Sequence, residues 1–176
     1  MTKQVLIAGF GGQGVLFAGK FLAYKGLMED KQVSWLPSYG PEMRGGTANC
    51  SIIVSDEPVG SPIVSNPDVL IAMNLPSLDK YENEAVSGSV IIIDSTLIER
   101  KVTRTDINAY YVPATKMAHD MGAPTLANMI LLGKAIKESG VVSMDGLTEA
   151  MQKVVPPKKA NLIEINEKAI RLGYDY

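Results

Sequence analysis

Short apolar runs bounded by glycine, proline or small polar residues fill the first part of the chain, and helical spacing takes over after Thr115. Val5-Leu6-Ile7-Ala8 is a continuous apolar run ending at Gly9, the pattern of a strand buried on both faces. After Gly14, Leu16, Phe17, Lys20, Phe21 and Tyr24 follow the i, i+1, i+4, i+5, i+8 spacing of a helix face. Val33 to Leu36 reads as a second strand ended by Pro37, and Thr47 to Val54 as a third, rich in β-branched residues. Val69 to Met73, Ser89 to Ile93 and Ala109 to Val112 are further strands. Leu75 to Glu84 is a short helix with Pro76 in its first turn. Helices are predicted over 117–121, 125–139, 143–154 and 160–172, with Thr125 and Ser143 as N-caps.

The order β-α-β-β-β-α-β-β followed by helices predicts an α/β fold. We expect a single Rossmann-like domain over residues 1–176, with a mostly parallel sheet, helices on both faces and a helical C-terminal part. The Thr47 strand joins in an antiparallel sense. The Pro156–Lys159 break is too short for a domain linker.

Composition narrows the chemistry. Seventeen Lys and Arg stand against nineteen Asp and Glu, so the basic surface that nucleic-acid binding requires is absent. The single cysteine, Cys50, cannot by itself build an iron–sulfur or thiolate zinc site, and the single histidine, His119, excludes a histidine-rich metal centre. No metal ligand and no catalytic nucleophile–base pair is identified. Cys50 reads as a small buried hydrophobe in mid-strand, and His119 as a surface or cap residue. No run approaches the ~20 apolar residues of a membrane span. Met1 to Gln4 lead straight into a strand without a secretory h-region, so a cytoplasmic protein is expected.

Two loops carry the candidate chemistry. Gly9, Gly11, Gly12, Gln13 and Gly14 lie in a G-x-G-x-x-G turn between strand and helix, where backbone N–H groups can meet a phosphate. Without a ligand the same turn is simply a tight strand-to-helix connection. A dinucleotide site also needs an acidic residue at the end of the second strand, and Trp35-Leu36-Pro37-Ser38 has none. The second loop, Ser38 to Gly46, sets Tyr39, Gly40, Glu42, Arg44, Gly45 and Gly46 in a turn-rich segment. Arg44 offers a planar donor fork for a carboxylate or phosphate, and the bland alternative is a Glu42–Arg44 pair. If the first two strands run parallel, both loops share one edge of the sheet.

In this order and spacing the two loops resemble the gamma subunits of the 2-oxoacid:ferredoxin (acceptor) oxidoreductases. Ser65-Asn66-Pro67-Asp68 and Pro124 to Met129 add to the likeness, which covers nearly the whole chain. The resemblance implies a complex that oxidatively decarboxylates a 2-oxoacid with coenzyme A, giving an acyl-CoA and reducing ferredoxin or a similar carrier. It implies 2-oxoglutarate first among the substrates, then pyruvate and branched-chain 2-oxoacids. Thiamine diphosphate, magnesium and iron–sulfur clusters belong to alpha, beta and, where present, delta partner subunits. This chain then binds no cofactor alone and is inactive in isolation, where a homodimer is also allowed. The two loops face coenzyme A or the partner subunits. A stand-alone nucleotide- or phosphate-binding protein is the alternative reading.

Overall fold

The structure, a computed structural model, describes residues 1–38 and 47–176. The strands are β1 (Thr2–Phe10), β2 (Gln32–Ser38), β3 (Thr47–Ser55), β4 (Val69–Ala72), β5 (Val90–Asp94) and β6 (Asn108–Val112). The helices are α1 (Val15–Met28), α2 (Leu75–Tyr81), α3 (Ala114–Asp120), α4 (Ala127–Ser139), α5 (Leu147–Val154) and α6 (Leu162–Asp175). The order of elements is the one expected from the apolar runs.

The strands form one sheet in the order β2-β3-β1-β4-β5-β6. β1, β4, β5 and β6 are mutually parallel neighbours, while β3 runs antiparallel to both β1 and β2. β2 therefore points the same way as β1, with β3 inserted between them. Pro37 lies inside β2 rather than ending it. β2 is an edge strand, and a residue without an N–H is tolerated there because one side of the ladder has no partner.

The central strands explain their own composition. Every residue of β4 and β5 is buried, because parallel strands are covered on both faces. The face carrying Val5, Ile7, Ile71 and Ile92 packs against α1 and the C-terminal helices. The opposite face, with Leu6, Ala8, Leu70 and Ile91, packs against Leu78 and Tyr81 of α2 and against Ile98. Helices thus lie on both faces, though very unequally.

Two expected caps are replaced. α4 starts after Leu126 and α5 after Gly146, neither with a side-chain cap. Thr125 is not in the capping position. Ser143 is used elsewhere: its N–H and its hydroxyl each donate to Glu29 at 2.8 Å. The buried Lys25 ammonium also pairs with Glu29. This cluster pins the end of α1 to the α4–α5 connection. The cap of α2 is Asn74, whose side chain accepts from the Ser77 N–H at 2.9 Å.

Candidate functional site: the carboxyl edge of the sheet

The glycine turn sits where the sequence puts it, between β1 and α1, at the carboxyl edge of the parallel strands. Gly12 and Gly14 adopt φ of 90° and 74°, a region that favours residues without a Cβ. Gly14 is the N-cap of α1 and no side chain caps the helix. The first-turn N–H groups, Val15 to Phe17, therefore have no intrahelical acceptor. Around them Phe10, Gly12, Leu16, Phe17 and Ala48 line a cleft of about 280 Å³.

Gln13 gives the turn an internal brace. Its side-chain oxygen accepts from the Phe10 N–H at 2.6 Å, and its side-chain nitrogen donates to the Met73 carbonyl at 3.3 Å. Gln13 thereby ties the ends of β1 and β4 and uses one backbone donor that an anion would otherwise meet. Gly9 is buried beneath it, and a Cβ there would stand 2.9 Å from Met73 Cβ.

The strand residues that flank the second loop lie at the same edge. Ser38 is in register with Asn49, and Asn49 with Ala8 of β1. On the other flank Thr47 is in register with Phe10. Tyr39, Gly40, Glu42, Arg44, Gly45 and Gly46, and with them the suggested Glu42–Arg44 pair, lie outside the described residues. The residues on either side of this loop and the glycine turn are thus brought together by the register of three strands.

Two asparagines near this edge escaped sequence reasoning as site residues. Asn128 lies on α4, and its side-chain nitrogen donates to the Gly14 carbonyl at 2.9 Å. Asn166 lies on α6 and borders the same groove as Gly12, Gly14 and Asn128. Asn128 falls in the Pro124–Met129 segment, which was the available signal. Asn166 had none, because a polar position in an amphipathic helix reads as solvent-facing.

Cys50 is fully buried, and burial pushes its thiol up to about 12, against weaker opposing hydrogen bonds from Trp35 and Gly19. A protonated, enclosed thiol is neither a nucleophile nor a metal ligand. The native protein should therefore take up no iodoacetamide at neutral pH and one equivalent after denaturation, measured by intact mass. Rapid labelling of the native chain would contradict this placement. His119 is exposed on α3. Among the described residues no three His, Cys, Asp or Glu side chains cluster to hold a metal. The residues of this chain do not fit an iron–sulfur cluster.

A model of the pyruvate ferredoxin/flavodoxin oxidoreductase family matches residues 4–176. The chain belongs to this family. It is 39% identical over 175 residues to the ketoisovalerate oxidoreductase subunit VorA of Methanothermobacter thermautotrophicus, covering 98% of this chain but 36% of that one. It is 33% identical to the 2-oxoglutarate synthase subunit KorC of Methanocaldococcus jannaschii, covering 99% of this chain and 94% of the relative. The chain thus spans about a third of the VorA relatives and nearly all of this KorC relative. In structure it resembles the gamma subunit of a keto/oxoacid ferredoxin oxidoreductase from Geobacter sulfurreducens, with a TM-score of 0.84, 29% identity and 96% of that chain covered. The resemblance carried by the two loops holds at the level of family and fold.

Proposed function

We propose that this chain is the gamma subunit of a thiamine-diphosphate-dependent 2-oxoacid:ferredoxin oxidoreductase. The family match across residues 4–176 carries this reading. The complex would convert a 2-oxoacid and coenzyme A to an acyl-CoA and carbon dioxide, passing two electrons to ferredoxin or a similar carrier. With one buried thiol, the chain itself offers no path for those electrons. Thiamine diphosphate, magnesium and the clusters would reside on alpha, beta or delta partners in the cytoplasm. The role of this chain is assembly and contact with coenzyme A at the carboxyl edge.

2-Oxoglutarate is the substrate proposed first, supported by the end-to-end match to KorC. A branched-chain 2-oxoacid is the second reading, favoured by the higher identity to VorA.

Co-expression with alpha and beta chains, purified through a tag on this chain, tests the proposal. The partners should co-elute, and the complex should reduce a viologen dye only with both 2-oxoacid and coenzyme A present. The chain alone should be colourless and inactive. Failure of any partner to co-elute would reject the assignment, as would 2-oxoacid-dependent dye reduction by the chain alone. Comparing kcat/KM for 2-oxoglutarate and 2-oxoisovalerate decides between the two substrates. In the complex, Arg44→Ala should weaken coenzyme A use or assembly by roughly ten- to a hundredfold, the effect of losing the charge-assisted contact proposed for this residue. An unchanged coenzyme A KM with unchanged assembly would reject the role of that loop.

A further inference from the structure

Helix α1 covers β2 and β3 on one face of the sheet, whereas on the other face α2 packs over β1 and β4. Beside α2 lies a groove of about 370 Å³, with Leu6, Leu36, Pro37, Val64 and Tyr81 in its walls. Leu36 is apolar yet exposed. Ile63 borders this groove and also a second hollow of about 260 Å³ beside Thr2 and Ser55. At 62% exposure it is the most exposed large apolar side chain among the described residues. The backbone around it is constrained. Pro62 precedes it, its N–H donates to the Ser61 hydroxyl at 3.3 Å, and Val64 after it is buried. A side chain presented in this way loses little freedom when something covers it.

Shape and charge both bear on what covers it. A two-fold contact requires one patch to carry both halves of the interface, because residue i of one copy meets residue j of the other and j meets i. Here an apolar knob, Ile63, stands next to an apolar hollow, the Leu36–Pro37–Tyr81 groove. The electrostatics select in the same direction. None of the residues lining the groove is charged, and its polar members include Ser38, Asn49 and Ser51. Hydroxyl and carboxamide groups both donate and accept, so such a surface can face its own copy without mismatch. A charged patch would repel itself across a two-fold axis, and a neutral one gives no preference to a partner of opposite charge. The net charge of −2 adds little repulsion between two copies.

We propose that this chain forms a two-fold homodimer in which Ile63 of each copy enters the Leu36–Pro37–Tyr81 groove of the other. The contact lies on the α2 face of the sheet, opposite α1 and the C-terminal helices. The inference goes beyond the proposed function, since self-association is a property of this chain whether or not it assembles with alpha and beta subunits.

Sedimentation equilibrium of the full chain provides the test. A small uncharged contact should give a dimer dissociation constant on the order of 10 μM. That constant should change less than about threefold between roughly 0.05 and 0.5 M salt. Ile63→Glu should weaken the dimer by roughly a hundredfold or more, because the substitution acts twice across the two-fold, and should leave the far-ultraviolet dichroism unchanged. Leu27→Glu, at a comparably exposed position on α1, should leave the dimer intact. Leu36→Lys should dissociate the dimer when alone. Mixed with Ile63→Glu it should form a heterodimer, which keeps one native contact and gains one Glu–Lys contact. A chain still monomeric at about 500 μM would overturn the proposal. So would a dimer that survives Ile63→Glu, one lost on Leu27→Glu or in salt, or absence of the heterodimer. Should Leu36→Lys not fold, the comparison of Ile63→Glu with Leu27→Glu still decides. A monomeric chain whose Ile63→Glu variant no longer co-elutes with alpha and beta chains would assign the patch to those subunits and overturn the homodimer. Failure of the unaltered chain to co-elute with them would reject the proposed function and leave the dimer standing.

Discussion

Gly173→Ala is expected to destabilise the protein by about 2 kcal/mol or more, with a fall in melting temperature of roughly 4–8 °C, and Gly133→Ala to behave alike. The sign is informative, because helix propensity alone would favour alanine by about 1 kcal/mol at either position. Here α4 and α6 approach backbone to backbone. A Cβ on Gly173 would stand 2.6 Å from the Ile130 carbonyl carbon, and one on Gly133 would stand 2.8 Å from that of Ile170. The corresponding carbonyl oxygens are closer still. The obstacle in each case is main chain, which cannot rotate away as a side chain could, so the helices must separate. Separation loosens the seam that holds Ala169 and Ile170 against Ile130 and the rest of the large core. It would also shift the α6 wall of the groove containing Asn166. Denaturant unfolding of both variants measures the effect, and a gain in stability at either position would show that the crossing is not tight.

Glu82→Gln is expected to cost about 2 kcal/mol at neutral pH, the loss of charge-assisted contacts to a carboxylate that is buried while its Arg100 partner is partly exposed. Glu82 is 3% exposed and lies in the 3₁₀ turn after α2. One carboxylate oxygen accepts from the Thr103 N–H at 2.5 Å and its hydroxyl at 3.1 Å, and the other from Arg100 at 2.8 Å. Arg104 donates to the Glu82 carbonyl at 3.0 Å and the Ala85 carbonyl at 2.6 Å, closing the connection before β6 onto α2. Arg100 keeps a second partner in Asp79, which is why the loss falls short of that for an isolated buried charge.

The pH dependence follows from the same contacts. Burial pushes the Glu82 carboxyl upward, but the Thr103 and Arg100 donors outweigh it, and the net direction is below its ordinary value of 4.5. A carboxylate lowered on folding contributes stability above its unfolded pKa, and that contribution disappears as the pH falls through the folded value. Urea midpoints of the unaltered protein and Glu82→Gln should therefore differ most at neutral pH and draw together as the pH falls below 4.5 and through the lower folded value. A constant difference down to pH 3 would mean that charge is not what Glu82 supplies.

Element identity and order were legible in the sequence because they are local properties. The apolar runs at Val5–Ala8, Val69–Met73 and Ser89–Ile93 mark strands covered on both faces, and glycines or prolines punctuate them. The G-x-G-x-x-G turn carries its own strand and helix context, so its place between β1 and α1 could be stated in advance. The fate of Cys50 was equally plain from its position in mid-strand. Together with the second loop, the glycine turn also sufficed to name the family.

Only the tertiary structure decided which distant segments meet. Pairing order is set by long-range packing, so the insertion of β3 between β1 and β2 is not encoded in any one stretch. That insertion brings Ser38 and Thr47 to the glycine turn through the register of three strands. Caps were misread for the same reason: Ser143 has local cap chemistry, but Glu29, distant in sequence, offers its hydroxyl and its N–H a stronger charged acceptor. The glycines that sequence reading emphasised lie in turns, where backbone conformation announces them. Gly133 and Gly173 have ordinary helical conformations, and their need for hydrogen in place of a side chain exists only because another helix backbone lies against each. The burial of Asn128 and Asn166 is visible only in three dimensions as well, because it depends on neighbours from α1, α4 and α6 rather than on residue type.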